Sequence, residues 1–401
     1  MASSTQFQII IVGGGIAGLS AAIALRAPNR QITVLEQSRL HAEIGATLSL
    51  QPNASRILSE QWKLSADESA IARGTIDHGF RVFNTEGEKV NEIMLKGGKY
   101  GAERMMYHRQ DLHEALKAAA TSTERSGLPA VIRVSSKVIS CDCTAGTVEL
   151  QSGETLQANL VIAADGIHSA VRSFVLGETI NPKSTGLSAY RLMMPTELLE
   201  DQAPQFCKSI NPREPYTSMI VAHSCRLIMG PAREGDLYSV VSKGGLKRML
   251  ETYAEFPEWV KGPWKIAGDI GLWQLRDIDP LKTWTKGRVI LIEDAAHAML
   301  PTQGQGASQS VEDAEALGAF FESVIEVPGK DDIEATLQQV FKSRYERASL
   351  IQRYSRDAAG PATELGSKEV KMRPDEFMDY NCSYTGATNW ILQQELLQAS
   401  A

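Results

Sequence analysis

The segment from Phe7 to Glu36 limits the fold more than any other part of the chain. Residues 7–12 (FQIIIV) form an apolar, β-branched run of the kind that fills a strand covered on both faces. Gly13, Gly15 and Gly18 follow in a Gly-x-Gly-x-x-Gly turn; residues 19–27, rich in alanine and leucine, read as a helix; residues 31–35 return to a strand that ends on Glu36. This order is a βαβ unit and commits the chain to a parallel sheet with helices packed on it. The glycines permit a tight turn and close approach of a pyrophosphate to backbone N–H groups. The Glu36 carboxylate, eighteen residues after Gly18, can accept from a ribose hydroxyl. An acid at that place disfavours a 2′-phosphate, so FAD or NAD is expected here in preference to NADP.

At 401 residues, 43% hydrophobic and 22% charged, the chain has length for one large or two interlocked domains. A formal net charge of −7 and the lack of a dense Lys/Arg tract argue against nucleic acid or an anionic membrane surface as partner and favour a small molecule. Five scattered cysteines without paired spacing indicate neither a disulfide framework nor a zinc site, and no metal is implied. The first residues lack a signal-peptide pattern, and the apolar stretch 9–25 is interrupted by the glycines of the turn. A soluble, cytoplasmic protein, monomer or homodimer, is the expectation.

Farther along, residues 76–91 show two alternating runs about Thr85-Glu86-Gly87, a hairpin placed before a helix at 109–120. Residues 131–138, 147–150 and 160–163 read as strands. Between about 185 and 284 short alternating strands with Pro and Gly between them (187–194, 219–222, 225–229, 237–241) suggest a separate antiparallel sheet. From 331 onward the chain reads as mostly helical. The fold class is therefore α/β, with a Rossmann-like domain (1–75, 104–184 and 285–355) interleaved with a second domain on an antiparallel sheet (76–103 and 185–284) and a helical C-terminal segment (356–401).

Two more strand ends carry chemistry. In 160–172 (LVIAADGIHSAVR) Asp165-Gly166 closes a strand and opens a short helix. In 287–317 a buried-strand run, 288–292, leads into Asp294, where open α/β sheets bind ligands and a carboxylate can hold a ribityl or ribose hydroxyl. Pro301, Gly304 and Gly306 then shape a loop whose N–H groups can approach a ligand, ahead of a helix at 308–317 whose N-terminus favours an anion or electron-rich ring. Arg109 lies in YHRQDL (107–112), Ala46 in IGATLSLQPN (44–53), and Trp273, Leu275, Asp277, Pro280, Trp284 and Gly287 form a further spaced block.

Taken together, in this order, these blocks resemble the FAD-dependent aromatic hydroxylases, the single-component, salicylate-hydroxylase-like flavoprotein monooxygenases of fungal type. The resemblance implies a para-hydroxybenzoate-hydroxylase-like fold, with bound FAD taking the single dinucleotide fingerprint and NADH or NADPH binding transiently. It implies that Arg109 reaches the cofactor, that Asp165 contacts the flavin side, that Ala46 lies near the isoalloxazine, that Asp294 holds the ribityl chain and that the N–H groups of Ala307 and Gln305 face the pyrimidine. It further implies hydroxylation of a phenol or aryl carboxylate with O₂ through a flavin C4a-hydroperoxide, with oxidative decarboxylation where a carboxylate lies ortho or para to the hydroxyl. A flavin-dependent epoxidase or dehydrogenase acting on a terpenoid or indole, or a non-catalytic FAD-binding redox sensor, are the alternatives.

The substrate pocket is expected between the central sheet and the flavin. Arg191, on an apolar strand-like run, can hold a phenolate or carboxylate, and His223 can deprotonate a phenol; these are the candidate catalytic residues, against the plainer readings of an outward-facing arginine and a structural histidine. His297 is expected to pack under the Asp294 turn. Three departures from the family pattern stand out: Glu293 where a glycine precedes the aspartate, Thr302 where many members have histidine, and Gly230, which suggests a wider pocket before Pro231.

Overall fold

The computed structural model describes residues 6–39, 46–95, 97–221, 226–245, 256–268, 270–359 and 370–399. A six-stranded sheet grows outward from Phe7–Val12, which pairs in parallel with Arg30–Leu35 on one side and Leu160–Ala163 on the other. Val131–Arg133 extends the first flank; Val289–Leu291 extends the second, with short antiparallel Thr285–Lys286 at the edge. Leu160–Ala163 and Val289–Leu291 are buried throughout, which explains why both are continuously apolar and not alternating. Because these strands run in one direction, Gly13, Asp165 and Asp294 all follow carboxyl ends on the same rim of the sheet. Helix Ile16–Ala24 packs against both Arg109–Thr121 and Gly306–Phe321.

The second large sheet has seven strands in the order Ile270–Asp277, Lys183–Pro195, Leu237–Gly245, Arg226–Ala232, Thr217–Val221, Gly79–Phe83 and Lys89–Met94. The expected antiparallel sheet and the expected hairpin are thus one sheet, joined by a parallel pairing of Thr217–Val221 with Gly79–Phe83. Alternation along its strands separates two faces. Tyr190, Leu192, Met194, Tyr238 and Val240 pack with Leu199, Phe206 and Trp264 from three short helices. Arg191, Ser239 and Val241, one position out of phase, line a cleft on the opposite side.

A three-stranded sheet, Thr47–Leu50, Met105–His108 and Thr75–Ile76, bridges these layers, and Thr47 donates to Ser239 Oγ at 3.0 Å. The chain closes with helices Lys330–Asp357, Pro374–Cys382 and Ala387–Ala399. No helix among the described residues is long and apolar enough to cross a membrane.

Some boundaries differ from the sequence-based expectation for local reasons. The first helix starts at Ile16, directly after the extended Gly15, so Gly18 lies inside it, and the late helix starts at Gly306. The run 131–138 is two strands, Val131–Arg133 and Val138–Asp142, because Ser135 adopts φ 53° between them and turns the chain.

Candidate active site

One continuous cleft of about 1460 Å³ runs from the glycine turn to the inner face of the seven-stranded sheet. That exceeds the roughly 300–1,000 Å³ usual for a single small ligand. At one end, Gly13 has φ +105°, and a Cβ there would stand 2.2 Å from the carbonyl oxygen of Ala164. Gly18 is equally constrained: a Cβ would meet the Gly13 oxygen at 2.0 Å, so this glycine lets the helix sit on the turn. Gly15 lines the cleft, and a Cβ at that position would have nothing within 4 Å. The Glu36 carboxylate is pre-oriented at the same end, accepting from the N–H groups of Gly14 at 2.8 Å and Ser38 at 2.7 Å.

The other expected residues converge on this cleft. Ala46, Arg109, Asp165, Asp294, Pro301, Gly304, Gln305, Gly306, Ala307 and Arg191 all line it. Strand pairing of Thr47–Leu50 with Met105–His108 sets the Arg109 N–H 2.8 Å from the Ala46 oxygen. Asp165 Oδ2 accepts from the N–H groups of Ala170 (2.8 Å) and Val171 (3.3 Å); its Oδ1 is buried without a partner, and burial pushes this carboxyl above its ordinary value despite those bonds. First-turn N–H groups of a helix have no intrahelical acceptors, and helix Gly306–Phe321 has no side-chain cap to take their place beside the cleft. His223 lies outside the described residues.

The residues under this rim were less legible. Arg172, 2% exposed, donates to the carbonyls of Asp294 (2.8 Å), Ala295 (2.7 Å) and Ile167 (3.0 Å), and so ties the Asp165 turn to the Asp294 turn. Its sequence neighbours carried the only hint, a lone arginine behind Asp-Gly. His297 packs on Trp284 with ring centroids 5.0 Å apart, and its Nε2 lies 2.7 Å from Asp313 Oδ2, as its expected place under the turn requires. Asp313 also accepts from the Glu293 N–H at 3.0 Å and from Arg344 Nε at 2.9 Å. Gly230 lines the cleft, where a Cβ would come 3.3 Å from Met106 Sδ, so the Met106 side chain borders the space beside this glycine.

Glu293 answers one question raised by its sequence. Its backbone has φ 58° and ψ −144°, a region open to glycine and strained for any residue with a Cβ. The side chain lines the cleft, and burial together with the adjacent Asp294 pushes its carboxyl well above the ordinary value. Glu293→Gly should therefore stabilise the apoprotein by about 1 kcal/mol, since relief of roughly 1–3 kcal/mol of strain exceeds the roughly 0.4–1 kcal/mol that glycine loses through the unfolded chain. Thermal or urea unfolding measures this; a less stable variant would show that the Glu293 side chain contributes more than its backbone strain takes away.

The residues at the rim fit a flavin dinucleotide: an open glycine turn, a carboxylate at the end of the second strand, an unpartnered Asp165 oxygen and an uncapped helix start share one elongated cleft. The family model described as FAD binding domain matches residues 6–215 and 271–346. The chain belongs to the FAD-dependent aromatic hydroxylases. Among its relatives, hispidin-3-hydroxylase of Neonothopanus nambi is 30% identical over 409 residues, covering 94% of each chain. The 3-amino-4-hydroxybenzoate 2-monooxygenase of Streptomyces platensis is 29% identical over 376 residues, covering 88% of each. In fold, the chain is similar to a salicylate hydroxylase in a substrate complex, with TM-score 0.74 at 24% identity over 97% of this chain and 96% of the other. It is similar also to CtdE in complex with FAD and a substrate, with TM-score 0.78 at 24% identity over 99% and 100%. As a member of this family the chain is an FAD-dependent monooxygenase, and FAD is its cofactor.

Proposed function

We propose that this monooxygenase uses NADH or NADPH and O₂ to hydroxylate a phenol or aryl carboxylate, with the anionic group of the substrate held by Arg191. The observation that carries the reading is the setting of that guanidinium. Arg191 lines the cleft on the inner face of the seven-stranded sheet, its Nε is buried without a hydrogen-bond partner, and its planar group lies 5.1 Å from the centre of the Trp273 ring. Burial and the nearby Arg109 both lower its pKa, and an anionic ligand would offset both. A planar cation in that setting matches a phenolate or carboxylate, which it can bind through two parallel hydrogen bonds. The aromatic acid in the name of the Streptomyces relative, a hydroxybenzoate, is of this class.

Bound FAD supplies the electron transfer and oxygen activation, with one oxygen atom entering the ring and the other leaving as water. The chain's own residues bind and orient. In this reading Gly13 and Gly15 receive the pyrophosphate, Glu36 a ribose hydroxyl and Asp294 the ribityl chain. Arg109, Asp165 and Ala46 border the cofactor, and the loop from Pro301 through Gly304, Gln305, Gly306 and Ala307 borders its ring. The parallel sheet with its helices forms the cofactor domain and the seven-stranded sheet the substrate domain. Where a substrate carries its carboxylate ortho or para to the hydroxyl, hydroxylation at that carbon would release CO₂.

A panel of hydroxybenzoates and larger phenols, scored by substrate-stimulated NAD(P)H oxidation, tests this reading. Arg191→Met should lower kcat/KM for the best substrate about 10- to 150-fold, the loss of one to two charge-assisted hydrogen bonds at roughly 1.5–3 kcal/mol, while FAD content stays unchanged. An unaltered kcat/KM would remove Arg191 from the substrate site.

A further inference from the structure

Helix Pro374–Cys382 lies outside the residues matched by the family model, yet Phe377, Met378, Asn381 and Cys382 line the cleft. Its position is held from two sides. Arg347, which grips Glu312, also donates to the carbonyls of Tyr380 at 2.9 Å and Asn381 at 2.8 Å. Phe377 stacks on Tyr354 with centroids 3.5 Å apart and packs with Met299, just before the Pro301 loop. At its other end Cys382 lines the cleft together with Arg104, which pairs with Asp77 and donates to Thr217 Oγ1 at 3.0 Å on the seven-stranded sheet. The helix therefore borders the same cleft as the Pro301 loop and the seven-stranded sheet.

Within that helix Asn381 is only 4% exposed, and its Oδ1 has no hydrogen-bond partner. Native structures rarely leave a buried amide oxygen unpaired, because its desolvation goes uncompensated; of the buried, unpaired amide oxygens among the described residues, those of Asn53, Gln352 and Asn381, that of Asn381 alone belongs to a residue lining the cleft, where a ligand can supply the partner. Among the described residues, the other cleft groups with an unpaired buried atom are Arg104, Asp165 and Arg191, and none of them comes from the C-terminal helices. We propose that Asn381 is a substrate-binding residue, its carboxamide hydrogen-bonding a hydroxyl or carbonyl oxygen of the phenolic substrate. A carboxamide suits this task because it can accept from a phenol or donate to a phenolate. A site built around such a bond rejects analogues that lack the oxygen, so Asn381 sets specificity as well as affinity. This inference rests on the phenolic reading above.

The test uses the FAD-loaded full chain and three readouts: thermal stability, FAD affinity by fluorescence, and KM with ligand Kd for the best phenol of the panel. Asn381→Leu is expected to raise KM and Kd about tenfold, with FAD affinity unchanged and stability equal or higher, because the unpaired oxygen is gone. Asn381→Ser, smaller and polar, serves if leucine does not fit. Unchanged KM and Kd would overturn the proposal. So would a loss confined to stability, which marks a structural amide, or one confined to FAD affinity, which marks a cofactor contact. A wild-type holoenzyme that responds to no phenol would sink the functional reading itself, and this inference with it.

Discussion

Arg344→Met should lower folding stability by about 3–5 kcal/mol, the usual cost of removing one partner from a buried ionic group. Arg344 is fully buried and donates to Glu312 Oε2 at 2.5 Å, Asp313 Oδ1 at 2.9 Å and Gln309 Oε1 at 2.7 Å. Arg347 holds both oxygens of Glu312 at 2.8 Å, and Asn53 donates to the same carboxylate. These carboxylates sit within helix Gly306–Phe321, whose first turn borders the cofactor cleft, so the variant should also lose FAD. Burial alone would raise the Asp313 pKa, yet His297 and Arg344 outweigh it and hold the carboxyl at about 2. A folded-state value below the ordinary one, near 4, means that Asp313 stabilises fully above about pH 4 and that this share fades as the pH falls toward 2. Arg344→Met raises the folded value and should move acid unfolding to higher pH. Urea titrations at several pH values measure both effects; a loss under about 1 kcal/mol would contradict the network's role.

Arg172→Leu is expected to cost a comparable amount, about 3–5 kcal/mol, and to raise the FAD Kd at least about tenfold. The carbonyls of Asp294, Ala295 and Ile167 would lose their donor inside the protein, each such buried acceptor costing roughly 1–3 kcal/mol before partial relaxation. Because those carbonyls belong to the two turns that carry Asp165 and Asp294, the effect should reach the cofactor. Arg172→Lys keeps the charge but lacks the planar fork, so it should recover only part of either loss. Apoprotein unfolding and FAD fluorescence titration separate the two effects. Unchanged FAD affinity in a folded Arg172→Leu variant would show that the turns hold their shape without the guanidinium.

The glycine turn, Glu36 and the Asp294 strand end were legible because each depends on dihedral freedom or on residues close in sequence. Arg172 was not, since the acceptors that tie it to the second turn lie 122 and 123 positions away, and nothing local marks an arginine that will be buried against carbonyls. The same holds for the Arg344 network, for the parallel register that joins the hairpin to Thr217–Val221, and for Asn381, which falls in a stretch read only as helical. The Glu293 backbone was half legible: the sequence shows a departure from glycine, and only the fold shows φ 58°.

The central claim is that this chain inserts oxygen into an acidic aromatic substrate bound against Arg191. Turnover of the best phenol under ¹⁸O₂ with NAD(P)H tests it most directly. One ¹⁸O atom in the ring of the product, formed by the wild type and strongly reduced in Arg191→Met, is the result expected. An unlabelled product, or oxidation that proceeds equally well without oxygen on an artificial acceptor, would contradict it.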